Sequence, residues 1–473
     1  MQRLSGASFD HQIGLCRKGE GQRQNGSSTE LAHGVFLFAD LQRATVHGAR
    51  QAIDDLPIAP HVRIMEKFVG SFTQQEPIPE AGIEAAVNIL RHGRLHRYNT
   101  TTDEVSQTAL LEEEFAAFTG ARYCLAVASG GYALATALRA LQVCAGAPVL
   151  TNAFTLAPVP GAIASVGARP VFIETTQDLT IDFAHLETMA RATGARVLML
   201  SHMRGHLCDM DRLMLLCDSL GVRVIEDCAH TMGAAWNGVA SGRHGVIGCY
   251  STQTYKHMNS GEGGLIVTDD AGLAARSVLL SGSYMLYARH RAAPAPDVFE
   301  ALRLDVPNIS GRMDNLRAAI LRPQIALLAD RGARWNALYR VMERGLDQTN
   351  GLRLIPRPAA EAFVASSFQF SLPGWEPARI AALIARCAAR GVELKWFGAP
   401  DPVAFTSRYE HWRYAAPQPL PQTDAVLAGL IDMRLPLTFT PDDVALIARI
   451  IRAEVLAVGQ GAVAPVAAFS MGD

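Results

Sequence analysis

The amino-acid sequence predicts an α/β fold built on a mainly parallel sheet. Short apolar runs alternate along the chain with amphipathic segments that are each long enough for about three helical turns. Strands separated by helices form βαβ units, which make their strands parallel and cover both faces of the sheet. No internal repeat is visible, and the length of 473 residues favours two or three domains.

Seven strands are predicted in chain order, with the sequences YCLAVAS, PVLTNAF, RPVFIE, RVLMLSH, VRVIED, VIGCYS and GLIVTD. The predicted helices are EAGIEAAVNILRHG and LLEEEFAAFTG before the first strand, and YALATALRALQV, PVPGAIASVGA, FAHLETMARATG and MDRLMLLCDSLG between strands. A long helical stretch then begins near Met313, and Pro323 within it predicts a kink. These elements form the large domain, and a smaller α+β region follows them.

The predicted domain boundaries follow from this pattern. Residues 1–64 form an N-terminal extension, which we expect to be partly disordered because GEGQRQNGSSTE is polar and rich in glycine and serine. The large domain is predicted at 65–325, a smaller C-terminal α+β domain at 326–460 and a tail at 461–473.

Composition narrows the class of partner. Lysine and arginine together number 43 against 45 aspartates and glutamates, so no overall field favours nucleic acid or an anionic membrane. A small-molecule substrate is the simpler expectation. The eight cysteines are scattered without CxxC spacing, and the chain shows neither a membrane-length apolar run nor a secretory leader. These features predict a cytoplasmic protein.

The strongest local pattern is an acidic residue and a lysine that each lie near a predicted strand end. Asp227 ends the apolar run VRVIED, and Lys256 lies in STQTYKHMNSGEGG. Ligands bind at the carboxyl edge of open α/β sheets, where a carboxylate can pair with a pyridinium nitrogen and a partly buried lysine can form an imine. The pair therefore suggests pyridoxal 5'-phosphate (PLP), with Lys256 as its Schiff-base lysine. The structural alternative is that Asp227 caps a turn and Lys256 is solvated.

A glycine pair supplies a possible phosphate site. The strand before Ser129, Gly130 and Gly131 leads directly into a helix, so the first amides and the positive end of the helix dipole face the strand end. Many strand-helix turns use such glycines without any ligand. The pattern gains its meaning because Asp227 and Lys256 follow in the same predicted domain.

Six blocks in order resemble the DegT/DnrJ/EryC1/StrS family of PLP-dependent aminotransferases. They are ASGGYALATALRAL, VLTNAFTLAPVPGAIASVGARPVFIE, SHMRGHLCDMDRL, VIEDCAHTMGAAWNG, YKHMNSGEGGLIVTDD and GRMDNLRAAILRPQ, and the resemblance covers about residues 78–455. It implies the fold of type I PLP-dependent transferases and a homodimer with shared active sites. It also implies amino transfer from an amino-acid donor to a keto acceptor such as a keto-sugar nucleotide or a cyclitol ketone.

The same resemblance assigns cofactor contacts. Lys256 matches the Schiff-base lysine, Asp227 the partner of the pyridine nitrogen, and Ser251 a serine that binds the phosphate. Phe154 matches the aromatic residue that stacks on the PLP ring, although core packing is its alternative.

Three positions depart from the family pattern. Gly131 replaces a threonine of the phosphate loop, so the phosphate would depend on backbone amides, Ser129, Gly130 and Ser251. His230 replaces a glutamine that contacts the PLP hydroxyl, and an imidazole can make that hydrogen bond while also titrating near neutrality. Asn308 stands near the place of an asparagine that the neighbouring subunit lends to the phosphate.

Several alternatives stay open at this point. His202, His206, Cys208 and Asp209 mimic metal-ligand spacing, but the segment is predicted as strand and loop, so no metal is expected. Trp396, Arg408, Tyr409 and Trp412 could line a pocket or pack between domains. Decarboxylation, elimination or dehydration on the same scaffold is the first competing function, and a non-enzymatic paralogue is the second.

Overall fold

The computed structural model describes residues 66–461, so the predicted N-terminal extension and the C-terminal tail lie outside the described residues, apart from Gly461. The helices, numbered in chain order, are α1 Glu80–His92, α2 Gln107–Thr119, α3 Gly130–Ala140, α4 Pro158–Ser165, α5 Phe183–Thr193, α6 Met210–Leu220, α7 Ala271–Ser281, α8 Pro296–Glu300, α9 Asn315–Ile325, α10 Leu328–Leu346, α11 Pro377–Ala389, α12 Pro421–Ala428 and α13 Pro441–Gly459. The strands are β1 Tyr123–Val127, β2 Pro148–Asn152, β3 Arg169–Ile173, β4 Val197–Ser201, β5 Arg223–Asp227, β6 Ala235–Trp236, β7 Val239–Ala240, β8 Ile247–Ser251, β9 Gly264–Thr268, β10 Arg353–Leu354, β11 Glu361–Ala362, β12 Ser367–Ser371, β13 Lys395–Trp396 and β14 Leu430–Arg434.

The large sheet has seven strands in the order β1-β9-β8-β5-β4-β2-β3. Each of them corresponds to one of the seven predicted strands, and the predicted α/β fold is confirmed. β9 runs opposite to the other six strands of this sheet: it pairs antiparallel with both β1 and β8, and the remaining pairs are parallel. The parallel strands β4, β5 and β8 lie side by side, so their carboxyl ends meet at one edge.

Alternating side chains divide the core between the two faces of this sheet. Leu198 and Leu200 of β4 belong to a core that also contains residues of β12, β14 and α13, whereas Met199 packs with α3 and α7 on the opposite face. The first core is therefore continuous from the large sheet to the four-stranded sheet β10-β12-β14-β13 of the C-terminal region.

The predicted long helix is broken close to its proline. Pro323 lies inside α9, which ends at Ile325, and α10 begins at Leu328. A proline lacks the N–H that would continue the hydrogen-bond ladder, and its ring crowds the preceding turn. These effects act on the turn before Pro323, whereas α9 continues for two residues beyond it, so they do not by themselves place the break between Ile325 and Leu328.

Among residues 66–461, no helix is both long enough and apolar enough to cross a membrane.

Candidate active site

Asp227 ends strand β5 at the edge shared by β4 and β8. Its side chain is buried, and its residue pairs in register with Ser201 at the end of β4. The Ser201 hydroxyl donates a hydrogen bond to Oδ2 at 2.9 Å, and the Ala229 amide donates to Oδ1 at 3.1 Å. Each carboxylate oxygen therefore keeps capacity to accept a further hydrogen bond.

Lys256 and His230 form a direct contact at this edge. Lys256 Nζ lies 2.8 Å from His230 Nε2, and the Arg204 amide donates to His230 Nδ1 at 3.3 Å. Because Nδ1 accepts this bond, the imidazole proton belongs on Nε2, which then donates to Nζ. Only the neutral amine has a lone pair to accept that bond, so the geometry favours the nucleophilic form of the lysine.

The electrostatic surroundings favour the same protonation state. Burial lowers the pKa of Lys256 to about 7; Asp227 opposes this shift, and Arg204 and Arg434 add to it. Burial, with the charges of Lys256 and Arg204, also holds the pKa of His230 well below its usual range. Both groups are therefore largely neutral above pH 7.

The start of α3 adjoins the end of β8, as a phosphate site would require. The Ser129 side chain caps α3 by accepting a hydrogen bond from the Tyr132 amide at 3.1 Å. Gly130 lies so close to Ser251 that an added Cβ would stand 2.8 Å from the Ser251 Cβ. A Cβ on Gly131 would only reach Pro158, at 3.9 Å, which is an ordinary contact. Ser129, Gly130 and Ser251 are thus brought together, and Gly131 leaves open space beside them.

A cavity of about 350 Å³ opens beside Lys256. Its lining combines apolar side chains with polar and cationic groups, namely Gln75, Leu156, Arg204, His230, Gln253, Tyr255, Lys256, Trp335, Ser366, Ala404, Phe405, Arg434, Leu435 and Pro436. A deep pocket with a few converging polar groups and a lysine of lowered pKa is the usual form of an active site.

Of the sequence-predicted site residues, His230 and Lys256 line this cavity, and seven do not: Ser129, Gly130, Gly131, Phe154, Asp227, Ser251 and Asn308. Phe154 is 1% exposed and its ring packs edge-on against Phe397 at 5.1 Å, so stacking on a cofactor stays a prediction. Asn308 is exposed on the segment between α8 and α9, and its contact with a neighbouring subunit also stays a prediction.

The histidines with metal-like spacing belong to separate hydrogen-bond networks. His202 Nε2 lies 3.0 Å from Glu226 Oε2, and His206 Nε2 lies 3.0 Å from Gln369 Oε1. Glu226 also accepts amide hydrogen bonds from the turn that follows β7. His202, Glu226 and Cys228 are close enough to form a metal cluster, but the first two are already paired with each other.

The aromatic cluster of the C-terminal region packs into the core. Tyr409 and Trp412 each lie 5.8 Å from the Phe172 ring, and the Trp396 indole donates a hydrogen bond to the Ala428 carbonyl. None of these side chains is part of the cavity lining given above. Of the two interpretations, domain packing is the one that the contacts support.

Sequence reasoning missed the arginines of the cavity. Arg204 lies between His202 and His206 in the segment SHMRGHLCD, and Arg434 ends β14 just before LPLTFTPDDV. The available signal was that each arginine follows an apolar strand. That signal does not reveal that the two strand ends meet.

Comparison with known proteins gives one family match and many relatives. The model of the DegT/DnrJ/EryC1/StrS aminotransferase family matches residues 80–452. A UDP-N-acetyl-3-dehydro-alpha-D-glucosamine 3-aminotransferase of Acidithiobacillus ferrooxidans is 33% identical over 315 residues, which cover 63% of this chain and 79% of the relative. An L-glutamine:2-deoxy-scyllo-inosose aminotransferase of Streptomyces fradiae is 30% identical over 296 residues, which cover 62% and 68%.

Solved structures show the same fold at lower identity. The structure of 3-amino-5-hydroxybenzoic acid synthase matches with a TM-score of 0.70 and 24% identity, and it covers 82% of this chain and 99% of its own. The aminotransferase TlmJ of Streptoalloteichus hindustanus matches with a TM-score of 0.69 and 21% identity, over 83% of this chain and 99% of its own.

Proposed function

Since the chain belongs to the DegT/DnrJ/EryC1/StrS aminotransferase family and has the α/β fold of type I PLP-dependent transferases, we propose that it transfers an amino group from an amino-acid donor to a keto acceptor with PLP bound at Lys256. The observation that carries this proposal is the Lys256 amine, which is held 2.8 Å from His230 in a geometry that only its neutral form can satisfy.

The residues present fit PLP. The amides at the start of α3, with Ser129 and Ser251, offer an anion site for the phosphate, and the bare Gly130 keeps β8 in contact with this helix end. Asp227 is buried and retains acceptor capacity, which suits a protonated ring nitrogen. Lys256 provides the amine for covalent attachment.

Each residue has a definite task in the proposed reaction. When bound, PLP supplies an electron sink for the carbon that bears the amino group. Asp227 keeps a proton on the ring nitrogen, and Ser201 fixes the orientation of that carboxylate. The Lys256 amine would move protons at the reacting carbon, and His230, 2.8 Å away, would orient the amine and contact the hydroxyl of the cofactor.

The substrates are proposed from the relatives. Their names specify a dehydro-sugar nucleotide and a cyclitol ketone as amino acceptors. We therefore propose a keto-sugar nucleotide, a cyclitol or a related biosynthetic intermediate as the acceptor here. Incubation of the PLP-loaded enzyme with single amino acids tests the reaction class, because a true donor converts PLP to pyridoxamine phosphate and a keto acid.

Other PLP chemistry on this scaffold remains the alternative. His230 touches the reacting lysine, so it could alter the reaction outcome. Mass spectrometry of the same incubations separates the alternatives: a decarboxylated amine, or an eliminated or dehydrated product without pyridoxamine phosphate, would overturn the aminotransferase proposal.

We also propose a homodimer with shared active sites in the cytoplasm. The exposure of Asn308 would allow it to reach the phosphate site of a second subunit. Light scattering after gel filtration measures the mass, and a monomer that retains full activity would contradict the shared-site arrangement.

Substitution of Gly130 is expected to weaken PLP binding, whereas the same substitution of Gly131 is expected to change it little. Gly130→Ala forces a Cβ to 2.8 Å from that of Ser251, and overpacking of about 1–3 kcal/mol should weaken PLP binding roughly fivefold to 150-fold. Gly131→Ala, the matched control, meets only ordinary contacts and should change the Kd less than about threefold. Equilibrium dialysis of apoenzyme against PLP measures both. Equal losses of PLP affinity in the two variants would contradict the assignment of the phosphate site to the start of α3.

The rate of PLP uptake by the apoenzyme is expected to rise with pH and to level off above about 7. The pKa of Lys256 is lowered to about 7 by burial, so its amine loses its proton far below the range of an ordinary lysine. Stopped-flow absorbance from pH 5.5 to 10 measures this rate, with Nα-acetyl-lysine as the unperturbed control. A protein rate that keeps rising alongside the control above pH 9 would contradict the assignment.

A further inference from the structure

Two arginines from distant segments converge in the Lys256 cavity. Arg204 lies in the 3-10 turn Met203–Gly205 after β4, and Arg434 ends β14. Both line the cavity, and the Arg204 amide touches His230, the neighbour of Lys256. They therefore stand close to the reacting amine.

Arg204 adopts a backbone conformation that is uncommon outside glycine. Its φ is 56°, in the left-handed region, and the side chain is buried. Such conformations cost free energy and concentrate at functional sites, where the surrounding structure enforces them. Here the conformation places Arg204 in the wall of the cavity while its amide donates a hydrogen bond to His230.

Arg204 and Arg434 together carry more positive charge than Asp432, the one carboxylate of residues 66–461 that pairs with either of them, can balance. Arg204 Nη2 lies 2.9 Å from Oδ2 of the buried Asp432, whose other oxygen accepts from Gln369 at 2.7 Å. Within residues 66–461, Arg204 Nε has no acceptor and no carboxylate lies within ion-pair distance of Arg434. Arg434 thus lines the cavity beside Lys256 without a carboxylate partner from the described part of the chain, and Arg204 adds a second guanidinium whose charge is shared with Asp432.

Aromatic rings lie against both guanidinium groups. The Arg204 group lies 4.4 Å from the centroid of the Phe405 ring, and the Arg434 group lies 5.3 Å from the same centroid. Arg434 also stacks on Tyr255 at 3.8 Å. A cation–π contact is compatible with a guanidinium whose N–H groups also bind a planar anion.

We propose that Arg204 and Arg434 bind a carboxylate of the substrate, so that the molecule that reacts at Lys256 carries an acid group near its reacting carbon. A carboxylate is planar and accepts paired N–H donors from guanidinium groups. It belongs either to the amino-acid donor or to an acidic keto acceptor. The inference rests on the proposed function for the identity of the reaction, but carboxylate binding can be measured without turnover.

Titration calorimetry with glutarate tests this site, because glutarate has carboxylates and no amino group that could react. The PLP-loaded wild type is expected to bind glutarate and not the neutral glutaramide. Arg434→Gln should weaken glutarate binding roughly tenfold to a hundredfold, and Arg434→Lys should weaken it less. Arg434 is the better target because Arg204→Gln would leave Asp432 buried and unpaired.

The matched control is Arg353→Gln. Arg353 lies in β10, on the same four-stranded sheet as Arg434 but outside the cavity lining, and it pairs with Asp178. This variant should bind glutarate like the wild type, and the PLP content of every variant is measured to verify the site. Unchanged glutarate affinity in Arg434→Gln overturns the proposal. So does an Arg434-dependent affinity for pyrophosphate that exceeds the affinity for glutarate, since the arginines would then serve a phosphate.

The donor half-reaction identifies the source of the carboxylate. If Arg434→Gln slows the reaction of L-glutamate with the loaded enzyme by about the same factor as it weakens glutarate, the carboxylate belongs to the donor. If glutarate binding falls while this half-reaction is unchanged, it belongs to an acidic acceptor. Failure of all amino acids to react would count against the proposed function alone, because glutarate binding does not depend on amino transfer.

Discussion

Replacing Lys256 with alanine is expected to abolish the borohydride-reducible bond between the protein and PLP and to lower turnover by about 10²–10⁴-fold or more. The substitution removes the attaching amine and also the group that moves protons at the reacting carbon, and general acid-base catalysis alone accounts for that range. Borohydride reduction followed by peptide mapping checks the bond, and the rate of pyridoxamine phosphate formation checks the turnover.

The small number of lysines limits the positions at which a reduced adduct can form. The chain contains only the lysines 18, 67, 256 and 395. Lys67→Ala is the matched control, because Lys67 is exposed and lies outside the cavity lining. A covalent adduct that persists on another lysine of the Lys256→Ala protein would defeat the assignment.

The parts of the site that the sequence predicted depend on local patterns. Asp227 and Ser251 each end an apolar run that becomes a strand, and Ser129 lies between β1 and α3. Their place at one sheet edge follows from chain order and strand direction. The seven strands of the large sheet were predictable for the same reason, since each is a short apolar run between helical patterns.

The parts that could not be predicted depend on long-range packing. Arg204 and Arg434 meet only because the C-terminal sheet packs against the large domain, and no local pattern encodes that contact. The enclosure of Phe154 is similar, since it requires Phe397 from the C-terminal region. The antiparallel direction of β9 follows from pairing with β1 and β8, which a run such as GLIVTD does not specify.

Replacing Asp227 with alanine is expected to weaken PLP binding by about 10- to 150-fold and to reduce turnover further than the affinity loss explains. A hydrogen bond to a charged group contributes roughly 1.5–3 kcal/mol, which sets the binding term. The additional loss of turnover follows because an unprotonated pyridine ring withdraws electrons less strongly from the reacting carbon. Equilibrium dialysis gives the first quantity, and single-turnover absorbance with a saturating donor gives the second.

Ser201→Ala is the matched control for this experiment, because it removes one hydrogen bond to Asp227 and leaves the carboxylate charge in place. The Ser201 bond orients the carboxylate and forms whether or not PLP is bound, so its loss should lower PLP affinity less than the loss of Asp227 does, by no more than roughly tenfold. Asp227→Asn keeps the shape but not the charge, and it should resemble the alanine variant in turnover. If Asp227→Ala instead turned over at a rate near that of the wild type, the ring nitrogen would need another partner, and the carboxylate at the end of β5 would serve only to order Ser201 and Ala229.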